Sequence, residues 1–257
     1  MPAVDEGVLR QLAATIGSAS RVTVLTGAGV SAASGVPTFR GADGLWNRMR
    51  PEELATPQAF TRDPRLVWQW YAWRRQQVAA CRPNPAHDVL ARWSQRLSEC
   101  RVITQNVDDL HVAAGTRGLL RLHGSLWELR CLARCAGGDV PWSDRHSDEM
   151  GIRCCPHCDG LARPAVVWFG EGLDAEVLNA AVEATTCDVF LAVGTSAVVY
   201  PAAGLLSQAK AQGALTVEIN PDATPASRMV DLAIAAPAEQ VLPALDAYLD
   251  PDSSRTR

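Results

Sequence analysis

Arg21-Val-Thr-Val-Leu-Thr26-Gly27-Ala28-Gly29-Val-Ser-Ala32 joins an apolar strand to a glycine-rich turn. Val22 to Thr26 is too continuously apolar for a half-exposed strand, which points to a sheet covered on both faces. Gly27, Ala28, Gly29 and Ala32 then fit the dinucleotide-loop pattern with Ala in its third position. Glycines there permit a tight turn and close approach of a pyrophosphate, whose charge a helix N-terminus favours. Upstream, Val8, Leu9, Leu12 and Ile16 recur at helical spacing, and Gly17-Ser-Ala-Ser20 ends that helix before the strand.

Working outward, short apolar runs follow at Val102 to Thr104, Leu119 to Leu122, Val166 to Phe169, Val189 to Val193, Thr216 to Ile219 and Leu232 to Ala235. Helical patterns such as Ala175 to Ala184 and Ala202 to Ala211 separate several of them, so the expected fold class is α/β with a parallel, helix-covered sheet. Two stretches break the alternation. Residues 47–87 are rich in Trp, Arg and Pro and hold a helix from about Arg65 to Ala80, and residues 129–162 carry a cysteine cluster. Both read as insertions forming a small second lobe, which leaves 1–46, 88–128 and 163–249 to the sheet-bearing domain. The tail 250–257 has nothing to bury and is expected to be disordered.

With 257 residues, 47% of them hydrophobic, the chain has room for one large core and a smaller module. Lys and Arg total 24 against 28 Asp and Glu, and a net charge of -4 gives no basic surface to track a phosphate backbone, which argues against nucleic acid. Lys210 is the only lysine. No apolar run approaches the ~20 residues of a membrane span, and Met1-Pro-Ala-Val-Asp-Glu6 has no basic-then-apolar leader pattern. A soluble, cytoplasmic and monomeric protein is the expectation.

Disulfides are disfavoured in that compartment, so clustered cysteines read as metal ligands. Cys131-x3-Cys135 and Cys155-x2-Cys158 form two knuckles with 19 residues between them. Four thiolates so arranged suit one tetrahedral zinc with no open position, hence a structural ion. Cys154 or His157 are alternative ligands. Cys155 is preferred because Cys-Pro-x-Cys turns compactly.

After the glycine loop a dehydrogenase would run into a second strand ending in an acidic residue that holds the ribose. Here the chain gives Ser34-Gly-Val-Pro-Thr38-Phe39-Arg40-Gly-Ala-Asp43-Gly-Leu-Trp46, whose Pro and Gly residues forbid both regular helix and strand. This is a long loop beside a cofactor. In Thr104-Gln105-Asn106-Val-Asp108-Asp-Leu-His111, a strand delivers amides and a carboxylate at its carboxyl end, where parallel sheets bind ligands, although Asp108 or Asp109 would equally cap a following helix. His123, in Leu122-His-Gly-Ser125, is a candidate base near neutral pH. His111 competes with it, but one turn into a predicted helix it suits packing. Gly194-Thr195-Ser196 and Asn220-Pro221-Asp222 end later strands in turns that leave room for phosphate or ribose.

Taken in order from about residue 20 to residue 243, these motifs, with Pro37-Thr-Phe-Arg40 and Val167-Trp-Phe-Gly-Glu171, resemble the sirtuin family closely. The resemblance implies a Rossmann-like large domain, a zinc-bearing small lobe and a cleft where NAD, as a consumed co-substrate, meets an acyl-lysine peptide or protein. It places Thr38, Phe39, Arg40, Trp46, Gln105, Asn106, Asp108 and Ala238 with the cofactor, beside the glycine loop and the 194–196 and 220–222 turns. Phe39 then shields the reacting ribose, Asn106 and Asp108 position nicotinamide, and Val167, Trp168 and Phe169 pair with the peptide as an added strand. In the implied chemistry the acyl oxygen displaces nicotinamide to give an alkylamidate. His123 then acts as base toward a ribose hydroxyl, and the products are lysine and O-acyl-ADP-ribose. The x3 spacing of the first knuckle, where x2 is usual, and Asp109, where many members carry glycine, depart from the family pattern.

Tyr71 and Arg74 stand at i and i+3 of the predicted helix, so they share one face and can aim a phenol and a guanidinium at one spot. Such a pair suits a carboxylate, which Arg binds bidentately. The pair also resembles the acid-acyl branch of the sirtuins, as do Leu54-Ala-Thr-Pro57 and Val166-Val-Trp-Phe-Gly-Glu171. The expected activity is therefore NAD-dependent removal of succinyl or malonyl, with glutaryl or acetyl in second place. Plain deacetylation and protein mono-ADP-ribosyl transfer are the alternatives. A zinc-ribbon interaction module or a dehydrogenase fits fewer of the motifs.

Overall fold

The structure is a computed structural model that describes residues 5–38, 50–146 and 151–249. The segments 39–49 and 250–257 lie outside the described residues, and with them Phe39, Arg40, Trp46 and the tail.

Helix α1 (Glu6–Ser18) starts where the Asp5 carboxylate accepts from the N–H groups of Gly7 at 2.7 Å and Val8 at 3.2 Å. It turns Leu9, Leu12 and Ile16 inward and feeds β1 (Arg21–Thr26). The remaining strands are β2 (Glu99–Thr104), β3 (Leu120–Arg121), β4 (Gly124–Cys131), β5 (Trp142–Ser143), β6 (Ala162–Val166), β7 (Val189–Val193), β8 (Leu215–Ile219) and β9 (Leu232–Ile234). Five of them join β1 in a wholly parallel sheet in the order β3-β2-β1-β7-β8-β9. Counted within that sheet the order is 3-2-1-4-5-6, that of Rossmann-type nucleotide-binding folds.

Alternation along the strands explains why both faces are covered. Val22 and Val24 of β1, with Val189, Leu191 and Val193 of β7, join the core under α1, α5 (Pro85–Arg96) and α9 (Ala238–Leu249). Leu25, Phe190 and Ala192 point the other way, into the core under α7 (Ala175–Glu183) and α8 (Ala202–Ala211). The chain goes from β1 to β2 on one side and, much later, from β7 to β8 on the other. A crevice therefore opens beyond the carboxyl ends of β1 and β7.

The run Val166 to Phe169 is not a strand of this sheet. The strand there is β6, and it lies in a separate three-stranded antiparallel sheet ordered β5-β4-β6. An apolar run does not show which partner it will find, and the main-chain groups of Val167 to Phe169 bond elsewhere: Val167 N to His123 O at 3.0 Å and Phe169 N to Ala55 O at 2.9 Å. Against this small sheet lie α2 (Pro51–Leu54), α3 (Pro57–Arg62) and α4 (Pro64–Ala79), sharing a core that includes Phe60, Trp68, Tyr71, Leu126, Leu129 and Trp168. Helix α6 (Leu110–Ala113) is a single turn after β2. Among the described residues no helix is long and apolar enough to cross a membrane.

Arg75 locks α4 to the cysteine-bearing segment. Its Nε donates to Leu126 O at 2.7 Å and its Nη1 to Asp144 Oδ2 at 2.8 Å, with both side chains almost fully buried. Removing one member of such a pair strands the other charge away from water. Asp144→Ala is expected to cost ~3 kcal/mol in urea unfolding. A change under ~1 kcal/mol would show that water replaces the lost carboxylate.

Candidate active site

The crevice is built on backbone contact between two loops. Gly27 N donates to Val193 O at 3.1 Å and Gly29 N to Gly194 O at 2.8 Å, which draws the loop after β1 onto the loop after β7. A Cβ at Gly27 or Gly29 would stand 2.8 or 2.7 Å from Gly194 O, so side chains are excluded there by sterics. The chain after Gly27 winds as a 3-10 helix, Ala28–Ser34, and not as the α-helix that the loop pattern implies; Gly35 ends it at φ 87.

A cavity of about 740 Å³ opens over this junction. It gathers Gly27, Ala28, Gly29, Ala32 and Thr38 from the first loop, Gln105 and Asn106 after β2, and His123 after β3. Gly194, Thr195 and Ser196 after β7 and Asn220, Pro221 and Asp222 after β8 complete the floor, while Tyr71, Arg74, Val167, Trp168 and Phe169 form the wall toward the small sheet. Two of the predicted residues stand apart from the lining. Asp108 is buried one layer below, and Ala238 is buried at the start of α9.

The layer below is polar and closed. Ser31 Oγ donates to Asp108 Oδ2 at 2.8 Å, and Asn106 Nδ2 donates to Ser31 Oγ and Gly27 O, each at 3.1 Å. Asp108 Oδ1 also accepts from Leu110 N at 2.9 Å, so this carboxylate does cap α6 as well as brace the loop. Burial, opposed by these bonds, raises the pKa of Asp108. His87 stands 3.3 Å from Ser31 Oγ, and its ring lies 4.8 Å from that of His111. Ser31 and His87 were not among the sequence candidates. Ser31 sits inside the glycine motif and was legible there, whereas His87 comes from a distant helix start that nothing local marks.

The two candidate bases separate clearly. His111 is buried, bonds Thr26 Oγ1 at 3.0 Å, and is driven down to about 3 by burial and by His87 beside it. It lies outside the cavity lining. His123 lines the cavity, with Nδ1 2.9 Å from Gln105 O. Burial lowers its pKa and the Gln105 carbonyl partly restores it. A carbonyl only accepts, so Nδ1 carries the proton and Nε2 is left as the basic nitrogen.

On the facing wall, Tyr71 and Arg74 are both buried. Burial pushes the phenol of Tyr71 up to about 12 and lowers the basicity of Arg74, which still stays cationic as guanidinium does.

The comparisons with known proteins decide the family. The model of the Sir2 family matches residues 27–201. The chain is 50% identical over 231 residues to NAD-dependent protein deacylase 2 of Pyrobaculum aerophilum, covering 90% of this chain and 91% of the relative. The chain belongs to the Sir2 family. The crystal structure of a Sir2 homologue with NAD superposes with TM-score 0.87 at 44% identity, over 97% of this chain and 95% of the other. A Sir2 enzyme bound to a myristoylated histone peptide matches with TM-score 0.79 at 32% identity, over 98% and 100%.

The Sir2 chain also brings its knuckles together. The sulfurs of Cys131, Cys135, Cys155 and Cys158 lie within 4.8 Å of one another, with Cys131 to Cys158 at 3.6 Å and Cys135 to Cys155 at 3.7 Å. A tetrahedron with zinc–sulfur bonds of ~2.3 Å has edges of ~3.8 Å, which these two sulfur pairs match, so the donor set fits one zinc. Cys155 stands in the cluster, and Cys154 and His157 lie outside it. The x3 spacing of the first knuckle is absorbed at Arg134, whose φ of 51 turns the chain back. Because apparent binding of ~10–16 kcal/mol in such sites is coupled to folding, chelation or Cys158→Ser is expected to unfold the small sheet and abolish activity indirectly. Metal analysis finding no zinc in fully active protein would contradict this.

Proposed function

We propose that this Sir2 chain is an NAD-dependent protein-lysine deacylase whose preferred acyl groups end in a carboxylate, succinyl or malonyl. The observation that carries the acyl preference is that Tyr71 and Arg74, both buried, line the same cavity as His123. Acetyl-lysine offers nothing to a buried guanidinium. An acyl carboxylate does, through a charge-assisted pair of bonds.

The roles follow from position. NAD supplies a ribose carbon from which nicotinamide leaves. Ala28, Thr195 and Ser196 turn backbone N–H groups toward the diphosphate, the Gly27, Gly29 and Gly194 backbones, whose own N–H groups are bonded within the protein, leave room for close approach, and Asn220 to Asp222 stand beside the adenosine ribose. Thr38 lines the cavity on the cofactor side, and this reading assigns Phe39, Arg40 and Trp46 to the cofactor as well. Asn106 and Gln105 face the nicotinamide end, and Asp108 acts by fixing Ser31 and Asn106. With the acyl oxygen bonded to the ribose carbon that nicotinamide has left, His123 Nε2 would take the proton of a ribose hydroxyl so that its oxygen attacks the acyl carbon; the C–N bond breaks, lysine leaves as the amine, and one water added at the acyl carbon completes O-acyl-ADP-ribose. The peptide lies along Val167 to Phe169. Since the N–H groups of all three are already bonded, they meet the peptide through carbonyl oxygens. The family neighbour bound to a histone peptide supports a peptide substrate for this wall. The same reading divides the chain into a nucleotide-binding domain and a helical zinc lobe, but the boundaries expected at 128/129 and 162/163 cut through β4 and β6, which pair with each other in the small sheet and so go with the lobe.

His123→Ala is expected to abolish deacylation and leave circular dichroism and melting unchanged, since it removes a base and little apolar surface. In the unmodified enzyme, kcat/KM for an acyl-lysine peptide should hold as pH falls through 6.5, the ordinary histidine value, and decline only below it, because burial keeps His123 neutral to lower pH. Full activity of the Ala variant would remove His123 from the chemistry.

For acyl preference the decisive variant is Arg74→Met. Loss of a charged hydrogen bond of ~1.5–3 kcal/mol should weaken succinyl-peptide kcat/KM by roughly ten- to a hundredfold, with a far smaller change on the matched acetyl peptide. Equal losses on both would make Arg74 structural.

A further inference from the structure

The carboxylate site depends on which way the Tyr71 hydroxyl points, and a third residue decides that. Trp168 donates its indole Nε1–H to Tyr71 Oη at 2.9 Å. An indole N–H is a donor only, so the phenol oxygen accepts in this bond and its own proton must be directed elsewhere. Arg74, the charged group beside it, likewise has only donors to offer. Among the described residues no group accepts a hydrogen bond from Tyr71, and its hydroxyl stands where Tyr71, Arg74 and Trp168 line the cavity together.

Trp168 is itself fixed. The Arg163 guanidinium lies 3.4 Å from the ring centroid, and Phe60 packs against the ring with centroids 5.2 Å apart. Arg163 forks onto Glu171 at 2.5 and 2.9 Å, and Glu171 Oε2 in turn accepts from Trp168 N at 2.9 Å. Backbone and ring of Trp168 are thus held by one ion pair, and the indole N–H has a single direction.

We propose that Trp168 is a specificity-determining residue: its indole N–H occupies the acceptor position of Tyr71 Oη, so the phenol meets the acyl terminus as a donor and the Tyr71–Arg74 site selects an acyl group ending in oxygen acceptors. This rests on the acid-acyl reading above. Arg163 and Glu171 are positioning residues that act through Trp168.

The test is the ratio of kcat/KM for matched succinyl- and acetyl-lysine peptides in Trp168→Phe, Tyr71→Phe, Arg74→Met and the Trp168→Phe/Tyr71→Phe double variant. Loss of one neutral hydrogen bond predicts that Trp168→Phe lowers the succinyl-to-acetyl ratio by about three- to tenfold. In the Tyr71→Phe background the same change should leave the ratio where Tyr71→Phe alone put it, because there is no hydroxyl left to direct. Replacing Trp168 with benzothienylalanine, which exchanges N–H for sulfur at nearly constant shape, should reproduce the drop and keeps the test valid if the Phe variant folds poorly. The proposal is overturned if Trp168→Phe depresses both substrates equally while Tyr71→Phe lowers the ratio, or if the two ratio losses multiply in the double variant. If Tyr71→Phe and Arg74→Met both leave the ratio unchanged, the acid-acyl reading itself has failed and the role of Trp168 falls with it.

Discussion

Everything in the crevice depends on how closely two backbones approach where β1 and β7 end. With Gly29 N bonded to Gly194 O at 2.8 Å, the loops after those strands touch without side chains between them. A methyl group at Gly27 or Gly29 would displace Gly194, and Gly194 itself holds φ 59, a conformation that glycine adopts most readily. This contact brings the ends of β1 and β7 level, so residues delivered by five separate loops converge on one cavity. Parallel strands are what make it possible, because they all end on the same side.

Beneath that contact, burial gives each polar group a separate function. Ser31, Asn106 and Asp108 satisfy one another within a closed layer, and His87 and His111 are held neutral there, at about 4 and about 3, because charging them would require solvation that the interior cannot give. His123, which borders the cavity, is lowered by burial and raised again in part by its bond to the Gln105 carbonyl. These histidines thus differ in basicity through their surroundings.

The small sheet acts on the cavity through α4. That helix is tied down at Arg75 by Asp144, which lies in the chain between the two cysteine knuckles, and it presents Tyr71 and Arg74 from the same turn. The cysteine segment and the cavity wall that carries Tyr71 and Arg74 are therefore joined through one helix and one buried ion pair. The same wall is closed from the other side by Trp168, whose position is set by Arg163 and Glu171.

Sequence alone determined the features that local chemistry encodes. The largely β-branched, uncharged run Val22 to Thr26 specified a strand buried on both faces, the glycines after it specified a crowded turn, and the i, i+3 spacing placed Tyr71 and Arg74 on one side of a helix. The four-cysteine pattern specified a metal site because few other arrangements of thiols are useful at that spacing. Tertiary structure decided what depends on partners distant in the chain. It put Val167 to Phe169 outside the large sheet, since an apolar run carries no record of which strand it will meet. It gathered Cys155 and left out Cys154 in the sulfur cluster, and it set His123 on the cavity and His111 beneath it, since burial and access come from packing that brackets those residues. It also set Trp168 against Tyr71, 97 positions apart, so that the direction of one hydroxyl is fixed by a residue that no local pattern connects to it.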